Sequence, residues 1–306
     1  MRLATYLSNS GEQRACKVVS RAGEDYLIDI AAASKGSLSA DLMSIIAGGP
    51  SALAVVVGLP DKDATRLVHG LLLAPLVRPG KLIAAAGNYQ AHVIEGGRPP
   101  VDKTRTVPKL FLKPSTSIIA HEAPMRLPDV SGAVDWELEL AIVIGEGGRD
   151  ITPDRARDHV FGYTIINDIS ARRMDWDIVE RAEGAWEGFF DWLEGKWLDG
   201  FAPIGPWIVT SDEIENPDAL DLRLLVNGKV RQLASTSEMI FDTRELISFA
   251  SRLMTLEPGD IIATGTPAGV GDSTATYLSD GDVMEGWIEG LGTLVTPVIS
   301  ARATIA

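Results

Sequence analysis

The run Val134-Asp135-Trp136-Glu137-Leu138-Glu139-Leu140-Ala141-Ile142-Val143-Ile144-Gly145 constrains this chain more than any other stretch. Its apolar density and the bounding glycine predict a buried β-strand. Side chains alternate along a strand, so Glu137 and Glu139 share one face. Two carboxylates on one inward face repel each other and lose hydration. That is costly unless a cation holds them or they share a proton. The pair therefore asks for a hard divalent metal. Spacing alone equally allows an edge strand from which one or both glutamates point to solvent.

Other apolar segments bounded by Gly, Pro and Asp predict strands at residues 81–85, 109–113, 138–144, 162–167, 207–210, 221–226, 261–264, 282–288 and 293–299. Helices are predicted at 88–95, 153–158, 169–183 and 242–253. Strands outnumber helices and lack regular helical crossovers. This argues against a doubly wound sheet or a closed α/β barrel and for a mixed, strand-rich α+β fold. The first part of the chain reads differently. Short strands at 15–20 and 26–30 flank a turn at 21–25, and helical patterns follow at 39–48 and 62–69. Val77-Arg78-Pro79-Gly80-Lys81 then punctuates strongly. The expected division is a small N-terminal α/β domain, residues 1–76, and a larger domain, residues 77–306.

With 42 acidic and 28 basic side chains the net charge is −14. That argues against a nucleic-acid or anionic-membrane partner. A small anionic substrate would need a local cluster of cations to override the global field. The single Cys16 excludes an internal disulfide and fits a reducing compartment. The N-terminus turns polar too soon for a signal peptide, and no stretch of 18 uncharged apolar residues occurs. The expectation is a cytoplasmic protein.

Four constellations could carry chemistry. Asp168 ends the apolar strand Phe161-Gly162-Tyr163-Thr164-Ile165-Ile166-Asn167, where an acid can reach a site on a neighbouring strand. Three oxygen ligands suit Mg²⁺, Mn²⁺ or Ca²⁺ better than zinc, since no His or Cys pair has ligand spacing. In Asn88-Tyr89-Gln90-Ala91-His92-Val93-Ile94-Glu95, Asn88 is a candidate N-cap and His92 meets Glu95 at i,i+3. A carboxylate beside an imidazole makes a general base, and the same spacing fits an exposed helical ion pair. The glycines of Thr264-Gly265-Thr266-Pro267-Ala268-Gly269-Val270-Gly271 let backbone N–H groups and the Thr266 hydroxyl approach a ligand, or make an ordinary turn. Lys113, beside Pro114 and Ser115, can bind a carboxylate or lie at the surface. No Gly-x-Ser-x-Gly elbow supports serine chemistry. Cys16 reads as a core residue, and His69, His121 and His159 have no chemical context.

Together these pieces resemble the fumarylacetoacetate hydrolase family over residues 78 to 300. The blocks are Arg78-Pro79-Gly80-Lys81, Asn88-Tyr89-x-x-His92-x-x-Glu95, Lys113-Pro114-Ser115, Asp135-Trp136-Glu137-Leu138-Glu139-Leu140 and Asn167-Asp168-Ile169-Ser170-Ala171-Arg172. Later come Lys196-Trp197-Leu198-Asp199-Gly200-Phe201-Ala202-Pro203-Ile204-Gly205-Pro206, Val226-Asn227-Gly228 and Pro258-Gly259-Asp260 running on to Gly271. The resemblance implies a β-roll catalytic domain and a homodimer. It implies that Glu137, Glu139 and Asp168 hold Mg²⁺ or Mn²⁺, with Ca²⁺ also known. His92 and Glu95 match a lid dyad that activates water, and Lys196 matches a lysine that stabilises an enolate. Tyr89, Lys113, Arg172 and Thr266 fall at substrate-binding positions.

The implied activity is hydrolysis of a carbon–carbon bond in a small anionic 2-oxo acid. An acylpyruvate or a diketo-deoxy sugar acid would fit. The alternative is decarboxylation of an oxaloacetate-like acid or isomerisation of a hydroxymuconate-like diacid on the same scaffold. Two departures concern the substrate. Asp175 stands where many relatives carry Gln. The segment 175–195 is also long and holds Trp176, Trp186 and Trp192. That segment reads as a pocket wall or dimer contact, or as a surface insertion packed on its own aromatics.

Overall fold

The computed structural model describes residues 1–301 except His69 and Val179. Its frame is a mixed α+β architecture of two large sheets. The first has strands in the order Thr65–Arg66, Glu24–Asp29, Gln13–Arg21, Arg2–Leu7, Ala202–Thr210, Val160–Asn167, Leu138–Ile144, Ile261–Ala263, Leu82–Ala86 and Lys109–Lys113. The second runs Lys229–Ser235, Asp221–Val226, Val283–Ile288, Gly292–Ile299 and Met125–Arg126. Strands Arg2–Leu7, Gln13–Arg21, Glu24–Asp29 and Thr65–Arg66, from the stretch expected as a small N-terminal domain, continue the first sheet. Arg2 pairs with Val209 and Leu3 with Ile208. Among the described residues no helix is long and apolar enough to cross a membrane.

The central strand Leu138–Ile144 is buried along its whole length. Its alternation sorts two cores. Leu138, Leu140, Ile142 and Ile144 pack with Leu222, Leu224, Met284 and Leu294 of the second sheet. Ala141 and Val143 pack with Ala84, Ala263 and the apolar faces of helices Leu42–Ala47 and Gly49–Val57. Glu139 has the parity of Ala141 and Val143, so its carboxylate leaves the face turned away from the second sheet. Leu138 pairs with Asn167 and Glu139 with Ile166, which brings the end of Val160–Asn167 beside Glu137.

Predicted strands match observed ones closely along the large domain. The helices at 88–95 and 242–253 correspond to Gln90–Glu95 and Thr243–Leu253, and the pattern at 39–48 to Leu42–Ala47. Three helical expectations fail. Residues 62–69 give a 3₁₀ turn, Asp61–Asp63, and the strand Thr65–Arg66, with His69 outside the described residues. Residues 153–158 give only a 3₁₀ turn, Ala156–His159. The described residues of 169–183 are not helical. There the Arg172 and Asp175 amides donate to Ala133 O and Val130 O, which pins the chain in an extended path. The helix lies further on, at Ala185–Glu194. Its stripe Trp186, Phe189, Phe190, Leu193 follows the helical i, i+3, i+4, i+7 spacing.

Asn88 is not the N-cap of Gln90–Glu95. That position is Tyr89, and its side chain makes no cap bond. Asn88 is buried and ties three segments together. Its Nδ2 donates to Phe241 O at 2.9 Å and Thr264 O at 2.8 Å, and its Oδ1 accepts from Phe241 N at 2.9 Å. An exposed cap would cost about 1 kcal/mol to remove. Asn88→Ala is expected to cost about 3 kcal/mol, because it strands buried backbone groups. The shift of the urea midpoint at unchanged slope measures it.

Candidate active site

The acidic strand delivers a compact charge cluster. One carboxylate oxygen from each of Glu137, Glu139 and Asp168 lies within 4.8 Å of the others, and all three residues are buried. Glu139 and Asp168 are 0% exposed, which removes the edge-strand alternative. Asp168 follows directly from Val160–Asn167, and its N–H donates to Glu137 O at 2.8 Å.

Three cations are folded onto these acids. Lys196 Nζ donates to Glu137 Oε2 and Asp168 Oδ2, both at 2.7 Å. Lys113 Nζ is fully buried, bonded to Asp168 Oδ1 and, at 3.2 Å, to Ile169 O. Arg172 spans two acids, with Nη1 on Glu137 Oε1 at 2.7 Å and Nε on Asp135 Oδ2 at 2.8 Å. Counting Asp135, four acids face three bases, which leaves one formal negative charge. A divalent cation would make the site net positive and receptive to an anion.

Titration follows who touches whom. Burial pushes the Glu137 carboxyl up, but Lys196, Arg172 and His92 outweigh it and hold it well below the usual carboxylate range. Glu139 goes the other way. Burial, then the charges of Asp168 and Glu137, push it well above the usual value. Among the described residues only the Gly265 N–H serves it, at 2.7 Å on Oε2, while its Oε1 is buried without a hydrogen-bond partner. An orphaned carboxylate oxygen facing two further carboxylates is a donor set that a hard divalent ion fits. The triad can therefore hold such an ion through Glu137, Glu139 and Asp168.

A second pair holds the candidate base. His92 Nδ1 lies 2.9 Å from Glu95 Oε1, both on the helix Gln90–Glu95. With the proton on Nδ1, His92 donates to the Glu95 carboxylate, and that tautomer leaves Nε2 as the acceptor. Burial raises the Glu95 carboxyl, but the bonds from His92 and the Gly269 amide bring it below its ordinary value. The glycine-rich loop donates its Gly265 N–H to Glu139 and its Gly269 N–H to Glu95, so the dyad borders the acid cluster.

The other expected residues divide. Tyr89 is buried with an unpartnered hydroxyl. Burial and then the charge of Glu139 raise its pKa, so the phenol stays protonated as a donor beside that acid. Arg172 has a buried Nη2 without a partner. Lys113 finds its carboxylate within the protein, on Asp168. The Thr266 hydroxyl is engaged too, donating to Leu138 O at 3.0 Å and accepting from Gln232 Nε2 at 2.8 Å. Two residues without an assigned part prove central. Asp135 accepts from Arg172 and from the Trp136, Gly271 and Asp272 amides. Its parity with Glu137 and Glu139 was the available signal. Gln232 is buried and also accepts from Leu138 N at 2.9 Å, fixing the acidic strand from the second sheet.

Residues 81–299 match the sequence profile of the fumarylacetoacetate (FAA) hydrolase C-terminal domain. The chain belongs to the fumarylacetoacetate hydrolase family. It is 42% identical over 230 residues to an oxaloacetate tautomerase of Xenopus laevis, covering 74% of this chain and 68% of that protein. The solved structure of a fumarylacetoacetate hydrolase from Exiguobacterium antarcticum superposes with TM-score 0.78 at 37% identity, covering 98% of this chain and 99% of that one. A maleylpyruvate hydrolase from Sphingobium sp., solved with manganese(II) and pyruvate, gives TM-score 0.73 at 31% identity over 99% of this chain and 100% of that one. Family members similar to this chain thus include hydrolases, a tautomerase and isomerases.

The raised Glu139 pKa sets a pH dependence. In the metal-free protein its stabilising contribution is present below the unfolded carboxylate value and is lost as pH rises through the raised folded one. An ion at the triad requires the deprotonated form, so Mg²⁺ or Mn²⁺ affinity is expected to rise with pH and binding to release a proton. Titration calorimetry in buffers of different ionisation enthalpy reads that proton. Glu139→Gln should weaken metal binding at least about tenfold and abolish the proton release.

Proposed function

We propose that this protein is a divalent-metal-dependent hydrolase that cleaves a carbon–carbon bond in a 1,3-dioxo acid such as an acylpyruvate or a diketo-deoxy sugar acid. The supporting observation is a His92–Glu95 pair at 2.9 Å bordering a buried three-carboxylate cluster. Mg²⁺ or Mn²⁺ held by Glu137, Glu139 and Asp168 would supply Lewis acidity toward the substrate's 2-oxo oxygen. His92 Nε2 takes a proton from water, and Glu95 stabilises the imidazolium formed. The water oxygen bonds to the distal carbonyl carbon. The bond from that carbon to the methylene then breaks, and its electron pair passes into the enolate of the 2-oxo acid. His92 returns the proton to the methylene carbon, which gives a carboxylic acid and a 2-oxo acid.

Lys196 suits the enolate step. Two of its three N–H donors are committed to Glu137 and Asp168, and one remains for developing negative charge. The unpartnered Arg172 Nη2 and Tyr89 hydroxyl are donors suited to the oxygens of a 2-oxo acid. We propose a homodimer as the working assembly, on the family resemblance.

The 42% identity to an oxaloacetate tautomerase favours a second reading. Keto–enol exchange needs the same enolate stabilisation and proton carrier, but no attacking water. Parallel assays separate the two, following loss of the acylpyruvate enol absorbance and keto–enol exchange of oxaloacetate, each with and without Mg²⁺. His92→Ala is expected to lower acylpyruvate cleavage by about 10²–10⁴-fold while metal affinity is kept. Cleavage at the wild-type rate in that variant would sink the base assignment.

A further inference from the structure

The dyad carboxylate is held by more than its histidine. Glu95 gives Oε1 to His92 and accepts the Gly269 N–H on Oε2 at 2.9 Å. Residues 265–270 contain no ionisable side chain, so this loop acts through its backbone. That backbone is docked onto the acidic segment from the other side. Trp136 Nε1–H donates to Gly269 O at 3.0 Å, and Asp135 accepts the Gly271 and Asp272 amides at 2.7 and 2.9 Å. Gly269 has φ +103°, and a Cβ there would stand 2.0 Å from Arg231 O, so only glycine permits this peptide orientation. Trp136 is 1% exposed, and the Arg231 guanidinium lies 5.3 Å from its ring. The indole is thus fixed, and its one N–H is spent on this loop.

We propose that Trp136 is a positioning residue for the general base. Its indole N–H fixes the Gly269 carbonyl, and the N–H of the same residue, on the preceding peptide, holds Glu95 and, through Glu95, His92. The dipeptide Trp136-Glu137 then serves two tasks, supplying a carboxylate to the metal cluster and registering the base against it. Base and cluster cannot drift apart without straining one of these hydrogen bonds. This inference rests on the His92–Glu95 reading above.

The test is a double-mutant cycle on the Mg²⁺-loaded protein with the turned-over substrate. Trp136→Phe should lower kcat about tenfold, the scale of one lost hydrogen bond, with KM and metal affinity kept within about twofold. In a Glu95→Gln background the same change should add nothing. Independently of activity, amide exchange at Gly269 should quicken about tenfold in Trp136→Phe. If that variant fails to fold, benzothienylalanine at position 136 replaces the N–H by sulfur and keeps the ring shape. An equal loss in both backgrounds, or a loss carried by metal affinity, overturns the positioning role. So does a wild-type kcat in Trp136→Phe when Glu95→Gln is impaired. Glu95→Gln at the wild-type rate overturns the dyad reading and this inference together.

Discussion

Like-charge repulsion among Glu137, Glu139 and Asp168 is the constraint around which this protein is built. Three carboxylates within 4.8 Å in a dry interior could not stay ionised alone. Lys196, Lys113 and Arg172 answer most of that charge, and each is placed by a different part of the fold. Lys113 ends the edge strand Lys109–Lys113. Arg172 follows the short strand Ser170–Ala171, and Lys196 follows the helix Ala185–Glu194. Glu137 and Asp168 are satisfied by this arrangement. Glu139 is left with one oxygen unserved, which makes it the member most dependent on an added cation. The cluster thus combines a prepaid set of bases with one deliberate deficit of positive charge.

The same charges would let so acidic a protein admit the small anionic substrate we propose. A net charge of −14 repels an anion at long range. Screening limits that field to about 10 Å at ordinary salt, whereas buried cations act at contact distance with little screening. The glycine-rich loop links this cluster to the dyad. Gly265 N–H serves Glu139 and Gly269 N–H serves Glu95, so one stretch of backbone touches both halves of the site. A loop with no ionisable side chain can do this because its amides are fixed partial charges that never titrate.

Strand content and the acid triad were legible because burial and alternation leave local signatures. The run ending at Gly145 reads as a strand, and its period of two puts both glutamates on one face, while spacing leaves open whether that face is buried. The helix Ala185–Glu194 was misplaced because Arg172 and Asp175 spend their amides on Ala133 and Val130, partners about 40 residues away. The strand Lys229–Ser235 was also missed. Yet Asn227 and Gly228, at φ 51° and 72°, make the tight turn that starts it. Thr266 and Lys113 looked free to meet a ligand because a sequence lists donors but not whether other protein groups have claimed them. Asn88 read as a cap for the same reason.

The sequence by itself determined the residue types: paired carboxylates at strand period, an acid at the next strand's end, a His and a Glu one helical turn apart. These follow from local geometry, which spacing encodes. Only the tertiary structure decided which acid stays satisfied and which is left wanting. Against burial, Lys196, Arg172 and His92, 35 to 59 positions away, drive the Glu137 pKa down, whereas burial and the charges of Asp168 and Glu137 drive that of Glu139 up. Coulomb energy and desolvation depend on distance and burial in space, and neither is written in the order of the residues.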